Sequence, residues 1–259
     1  MDVRAKKHLG QHFLINTGVC KRIADALPTF TQKTKVLEIG PGKGAITSFF
    51  LERSDIDFCA FEVDEESIQY LRSNYPSFQK VIKKDFLKAE LNQYFNDDSF
   101  CVVGNFPYNI SSQILFKCLA HKDQIPIIMG MFQREVAKRI AEPPGSKEYG
   151  ILSVLMQAYY DIEYLFTVEP GSFFPPPKVK SGVIRCTRNA RQALGCNELL
   201  FTKVVKAAFN QRRKTLKNSL RASFPDALIP ESYQMLRPEQ MSVEHFIHLT
   251  NQIEPYVIK

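Results

Sequence analysis

The sequence predicts an α/β fold: a Rossmann-like, mostly parallel sheet of seven strands, followed by a small C-terminal helical domain. Three observations predict it. Short β-branched or apolar runs alternate with helical patterns through the first two-thirds of the chain, a glycine-rich turn follows the first such run, and strand signals stop after about residue 190. Alternation of this kind needs crossover helices, and these cover both faces of a parallel sheet.

The elements follow in order. Lys35–Ile39 reads as a buried strand, with a glycine turn and a helix through about Arg53 after it. Ile56–Val63 is a strand and Glu65–Ser73 a helix; Lys80–Lys84 is a short strand, and Phe100–Gly104 another that ends in Asn-Phe-Pro-Tyr at 105–108. The next helix spans Ser111 to about Ala120, with the serine placed as its cap. Ile125–Met131 is a strand and Gln133–Ala141 a helix. Asp161–Val168 and Gly182–Thr187 read as strands joined by the Pro-rich GSFFPPPKVKS (171–181), suited to antiparallel pairing at one end of the sheet. Asn197–Ala208, Gln211–Ala222, Ser232–Leu236 and Val243–Gln252 read as helices, so a division into residues 1–190 and 191–259 is expected.

At 259 residues the chain can bury a substantial core, and 44% hydrophobic against 24% charged residues argues against disorder or a fibre. No run approaches the ~18 apolar residues of a membrane span, and the basic N-terminus lacks the apolar stretch of a secretory signal, so a cytoplasmic protein is expected. Six scattered cysteines (Cys20, Cys59, Cys101, Cys118, Cys186, Cys196) contain no CxxC pair, which disfavours a disulfide framework or a metal site. The balance of 34 basic to 27 acidic residues, net +7, favours a polyanionic partner.

The first strand runs into Glu38-Ile39-Gly40-Pro41-Gly42-Lys43-Gly44. Glycines at such a junction allow a tight turn and close approach of a ligand to the backbone. Gly40, Gly42 and Ala45 also satisfy a G-x-G-x-x-A dinucleotide pattern, so this loop alone leaves a nicotinamide enzyme open. Glu62 stands 22 positions after Gly40, at the end of the second strand, where a carboxylate can accept both hydroxyls of a ribose. Asp85 and Phe86 after the third strand suit an adenine, one bonding its amino group and the other stacking on its ring.

Asn105-Phe106-Pro107-Tyr108 carries the chemistry. In a doubly wound sheet this turn and the glycine loop face one crevice. The exocyclic amine of adenine is a poor nucleophile because its lone pair is delocalised into the ring. Accepting its two N–H bonds on the Asn105 side-chain oxygen and the Phe106 carbonyl would favour a tetrahedral nitrogen aimed at a methyl donor. Pro107 stiffens the turn, and Tyr108 offers a face for the base. A structural Asx turn would use the same residue types.

Together these residues resemble the KsgA/RsmA family of ribosomal RNA adenine dimethyltransferases, relatives of the Erm resistance methyltransferases. The resemblance spans nearly the whole chain: K-H-L-G-Q-H-F-L at 7–14, E-I-G-P-G-K-G at 38–44, Glu62, Asp85, N-F-P-Y at 105–108, F-F-P-P-P-K-V-K-S at 173–181 and N-Q-R-R-K-T-L at 210–216. It implies a class I methyltransferase fold, S-adenosylmethionine contacting His12, Leu14, Gly40, Glu62, Asp85 and Asn105, and Phe173 flanking the target base opposite Tyr108. The implied substrate is a pair of adjacent adenosines in a hairpin loop near the 3′ end of 16S rRNA in the small ribosomal subunit, with the enzyme acting as a monomer. His12 stands where asparagine is frequent in the family, Phe106 where leucine is frequent, and Lys43 is an uncommon residue of the loop.

Lys203, Lys206, Arg212, Arg213, Lys214, Lys217 and Arg221 face a single acid, Glu198, between residues 197 and 221, and Arg4, Lys6 and Lys7 form a basic arm. Phosphate contacts from such residues position RNA without reading its sequence. His245 and His248 read as surface or packing residues, and the loop at 142–147 as an exposed, mobile turn. An Erm-like enzyme acting on large-subunit RNA and a non-catalytic nucleic-acid-binding protein on the same scaffold are the competing readings.

Overall fold

A computed structural model describes residues 3–257. The short strand β1 (Phe13–Leu14) and helix α1 (Thr17–Ala26) precede the sheet. Then come β2 (Thr34–Ile39), α2 (Thr47–Leu51), β3 (Ile56–Glu62), α3 (Glu65–Asn74), β4 (Val81–Lys83), α4 (Asn92–Phe95), β5 (Phe100–Asn105), α5 (Ser111–Ala120), β6 (Ile127–Gln133) and α6 (Arg134–Ala141). After these lie α7 (Ile151–Gln157), β7 (Tyr160–Val168), β8 (Phe173–Phe174), β9 (Ser181–Arg188), and the helices α8 (Glu198–Asn210), α9 (Leu216–Leu220), α10 (Glu231–Gln234) and α11 (Val243–Ile253).

The seven-stranded sheet has the order β4-β3-β2-β5-β6-β9-β7. Pairs from β4 through β6 are parallel, and β9 runs antiparallel to β6. This is the mostly parallel sheet expected, with β9 and β7 together at one end. Strands covered on both faces should be apolar throughout rather than alternating, and Phe100, Cys101, Val102 and Val103 are all completely buried. One cluster on this sheet gathers Ile23, Val36, Phe50, Leu71, Val103 and Met129. Cys20, Cys101, Cys118 and Cys186 are buried as well. Burial pushes the Cys101 and Cys186 thiols up to about 12, so they behave as small hydrophobes.

The chain packs as two compact units. One holds the residues up to Ala137 with Glu163–Arg188; the other holds Lys138–Ile162 with the residues from Asn189 onward. The helical unit is thus larger than a division at 190 implies. Helix α7, unrecognised in the sequence, buries Leu152, Val154, Leu155 and Met156 and packs on α8. Gln157 Nε2 ties it to the α6 end through the Ile140 and Glu142 carbonyls, at 2.9 and 2.8 Å.

Two local expectations fail. Ser111 is the first helical residue of α5, not its cap: Ile110 occupies that position, and the Ser111 hydroxyl donates to the Tyr108 carbonyl at 3.3 Å. The loop at 142–147 is tied down rather than loose. Gly145 N–H donates to the Glu239 carbonyl at 2.7 Å, and Arg212 donates to the Lys147 carbonyl.

Candidate active site

From β2 the chain moves outward through β3 and β4 on one side, then returns to lay β5 and β6 on the other. Loops leaving β2 and β5 therefore diverge, and a crevice opens beyond their carboxyl ends. A cavity of about 270 Å³ occupies it, at the lower edge of the ~300–1,000 Å³ usual for small-molecule sites. Its wall includes His12, Leu14, Gly40, Gly42, Glu62, Asp85, Phe86 and the whole turn Asn105–Tyr108. Chain segments far apart in sequence thus meet around one space, as the Asn105–His12 contact across 93 positions illustrates.

Gly40 and Gly42 sit at φ +65° and +56°, a region that side chains avoid. A Cβ on Gly42 would come within 2.9 Å of the Phe13 ring, whereas one on Gly40 would meet only open cavity. Gly44 is also left-handed, at φ +79°, so no right-handed helix can begin within the loop. Turns fill the gap, and α2 opens only at Thr47. Lys43 also lines the cavity, and its Nζ lies 5.3 Å from the Phe13 ring centroid, a cation–π contact.

Glu62 is almost fully buried. Its Oε1 accepts the N–H groups of Val63 (2.8 Å) and Asp64 (2.9 Å), and its Oε2 accepts that of Gly42 (3.1 Å). Burial raises its pKa and these bonds oppose the rise. A carboxylate has about four acceptor positions, so three N–H bonds leave one, on Oε2, for a ribose hydroxyl rather than the two expected. Asp85 spends Oδ1 on the N–H of Leu87 at 2.9 Å, capping the short turn that carries Phe86. Lys117 supports that turn: Nζ donates to the carbonyls of Leu87 (3.1 Å) and Ala89 (2.5 Å) and lies 5.3 Å from the Phe86 ring centroid.

The Asn-Phe-Pro-Tyr turn is held from several sides. Asn105 Nδ2 donates to the His12 carbonyl at 2.9 Å, and Phe106 N–H donates to the Met131 carbonyl at 3.2 Å. The Phe106 ring lies against Gly130, where a Cβ would approach it to 2.2 Å, and edge-on to Phe132 at 5.1 Å. Among the described residues nothing donates to Asn105 Oδ1 or to the Phe106 carbonyl oxygen. Tyr108 shares a hydrogen bond of 2.6 Å with Ser181 and stacks on His12 at 5.8 Å. Burial raises the Tyr108 pKa, keeping the phenol neutral. His12 Nδ1 in turn donates to the Pro175 carbonyl at 2.7 Å.

Phe173 is not brought to this wall. It is 3% exposed and belongs to the hydrophobic core, pairing with Leu14 across the β1–β8 ribbon. Side chains alternate along a strand, so its neighbour Phe174 projects outward instead, 65% exposed. Sequence reasoning also passed over Glu38 and Lys117. Glu38 lines the cavity, accepts from the Thr47 hydroxyl at 2.6 Å, and is pushed up to about 8 by burial, with Glu62 adding to the rise. Its place at the head of the glycine loop was the available signal.

In the helical unit, Lys203, Lys206, Arg213, Lys214, Lys217 and Arg221 are exposed on α8, α9 and the segment joining them. Arg212 differs: it holds the 145–147 loop and lies 3.9 Å from Glu239. His245 and His248 pack around the Tyr233 ring at 5.5 and 5.6 Å. Among the described residues no group of three or more His, Cys, Asp or Glu side chains is placed to hold a metal, and no helix is long and apolar enough to cross a membrane.

The sequence matches the family described as Ribosomal RNA adenine dimethylase over residues 3–253. It is 54% identical over 254 residues to the Ribosomal RNA small subunit methyltransferase A of Flavobacterium johnsoniae, covering 97% of each chain. It is also 54% identical to that of Parabacteroides distasonis, covering 96% of this chain and 93% of the relative. A dimethyladenosine transferase from Plasmodium falciparum shares the fold, with a TM-score of 0.77 at 21% identity over 95% of this chain and 99% of the other. The 23S rRNA methyltransferase ErmE does so with a TM-score of 0.66 at 24% identity, over 93% and 99%. The Asn105–Tyr108 turn, the glycine loop and these likenesses agree: the chain belongs to the ribosomal RNA adenine dimethylase family of methyltransferases.

Proposed function

We propose that this protein dimethylates the N6 amino groups of two adjacent adenosines in a hairpin loop near the 3′ end of 16S rRNA, as a cytoplasmic monomer in ribosome biogenesis. The observation that carries the chemistry is the pair of acceptors without donors, Asn105 Oδ1 and the Phe106 carbonyl, on the wall of the cavity that Glu62 and the glycine loop share. An adenine amine placed there gives its two N–H bonds to these oxygens, which draws the nitrogen toward tetrahedral geometry and frees its lone pair. After the first transfer a single N–H remains for the two acceptors, so the second transfer relies more on stacking against Tyr108.

The residues fit S-adenosylmethionine. Glu62 Oε2 has one acceptor position for a ribose hydroxyl, Gly40 leaves room against the backbone, and Phe86 and Asp85 line the same cavity, an aromatic ring and a carboxylate suited to an adenine. Bound there, the cofactor supplies a methyl group on a sulfonium centre. The protein's own residues orient the amine and exclude water, and positioning does most of the work, with no strong base required. The exposed lysines and arginines of α8 and α9 bind phosphates and leave the reading of sequence to RNA shape and unstacked loop bases.

The small-subunit substrate rests on the curated relatives, whose names specify it. The test is incubation with S-adenosylmethionine and unmethylated small subunits, followed by mapping of the modified bases. Dimethylation of two adjacent adenosines is expected. Methyl groups on large-subunit RNA alone, or on none, would overturn the assignment.

A further inference from the structure

The N-terminal segment does more than border the cavity. Seven consecutive residues, His8–Leu14, line it, so one strand of chain forms an entire wall. That segment touches each functional part in turn. Gly10 packs so closely on the Asn105–Tyr108 turn and the residue after it that a Cβ would sit 2.7 Å from Asn109. The His12 carbonyl holds Asn105, and the Phe13 ring covers Gly42. Between the segment and the rest of the unit at the ribose end, the polar ties centre on the buried carboxylate of Asp64, with Glu66 beside it. Lys6 Nζ bonds Asp64 Oδ1, Gln11 Nε2 donates to Oδ2 at 3.3 Å, and Ser67 Oγ donates to the same oxygen at 2.9 Å. Lys6 also lies 3.2 Å from Glu66, and its own N–H donates to Gln11 Oε1 at 2.9 Å, closing a small ring around the bend. Asp64 is 3% exposed, and its N–H is one of the three on Glu62.

We propose that Lys6 and Asp64 are positioning residues that latch this segment over the cofactor and thereby set how long the cofactor stays bound. The inference rests on the S-adenosylmethionine reading of the cavity. His8–Leu14 form one wall of the cavity of about 270 Å³, so lifting them widens the way by which a nucleoside-sized ligand enters and leaves. Lifting the segment breaks the Lys6–Asp64 and Lys6–Glu66 pairs at one end and the Asn105–His12 and His12–Pro175 bonds at the other. The latch therefore couples departure of the cofactor to release of the amide that receives the adenine.

The test uses the full chain with S-adenosylhomocysteine as probe, its dissociation followed by stopped-flow displacement. Lys6→Met keeps the apolar stem and removes the charge; Asp64→Asn keeps the shape and the Ser67 bond; Lys6→Arg is the conservative control. Dissociation should quicken about two- to fivefold in the first two, the scale of one partly exposed ion pair, and return toward wild type in Lys6→Arg. Added salt should speed dissociation from the wild type and leave Lys6→Met unchanged. Amide exchange of residues 11–14 in the ligand-free protein should rise in Lys6→Met and Asp64→Asn. Unchanged dissociation and exchange in a folded Lys6→Met protein would overturn the latch. If the wild type fails to bind S-adenosylhomocysteine, the cofactor reading falls instead, and the exchange measurement still decides whether the ion pair holds the segment.

Discussion

Asn105 Nδ2 donates to the carbonyl oxygen of His12 across 2.9 Å. An amide held by its nitrogen presents its oxygen the other way, so a residue from the N-terminal segment decides which end of Asn105 is left free to accept. The Asn105–Tyr108 turn and the N-terminal wall of the cavity are thus one assembly, although 93 residues separate Asn105 from His12.

Replacing Asn105 by alanine deletes both the acceptor and the tether. We expect turnover to fall by at least about 10²-fold, the scale on which removal of one preorganised polar group acts. Binding of S-adenosylhomocysteine, measured by titration calorimetry, should weaken less than in Glu62→Ala, where three buried N–H groups lose their acceptor. Equal loss of binding in the two variants would contradict the separate roles.

Gly130→Ala places a Cβ 2.2 Å from the Phe106 ring, with buried strands on either side. Overpacking of this kind costs about 1–3 kcal/mol, which for a chain of this size lowers the unfolding temperature by roughly 2–4 °C per kcal/mol. Because the ring carries the Phe106 carbonyl with it, turnover should drop as well. Adding Phe106→Leu, the residue frequent in the family, removes the clashing ring edge and should recover part of both losses. A double variant no better than Gly130→Ala would show that the ring is not the obstacle.

The sheet was readable because its strands are long and apolar: Phe100–Val103 and Val36–Ile39 leave little choice of partner layer. The glycine loop and the Asn-Phe-Pro-Tyr turn were readable because each residue type there is set by backbone or chemistry. The β1–β8 ribbon was not. Its strands are two residues each and lie 160 positions apart, and propensity says nothing about pairing at that distance. Without that register nothing in F-F-P-P-P shows which phenylalanine faces inward; the structure buries Phe173 and exposes Phe174. Helix α7 was overlooked for a related reason, since a seven-residue buried helix of apolar side chains has the pattern of a strand.

The basic residues of the helical unit divide by their contacts. Arg212 holds the Lys147 carbonyl, whereas Arg213 is exposed. Arg213→Ala should weaken RNA binding and reduce the slope of log affinity against log salt by about one, with thermal stability unchanged. Arg212→Ala should lower the unfolding temperature and release the 145–147 loop to proteolysis. Matching stability in the two variants would refute this division.

Glu38 gives a pH test with a definite sign. Burial raises its pKa to about 8 in the folded protein, from an ordinary 4.5 in the unfolded chain. Between those values the folded state holds a proton that the unfolded state has released, so unfolding liberates it and stability falls as pH rises. Below about 4.5 both states are protonated and the effect vanishes; above about 8 the penalty is complete. Glu62 is shifted the same way by burial and adds to the slope. Glu38→Gln mimics the protonated form and keeps a partner for the Thr47 hydroxyl. Unfolding temperatures measured from pH 5 to 8 should therefore decline less steeply in Glu38→Gln than in the wild type, with the two curves closest at pH 5. Parallel curves would mean that Glu38 does not carry its proton into the folded state.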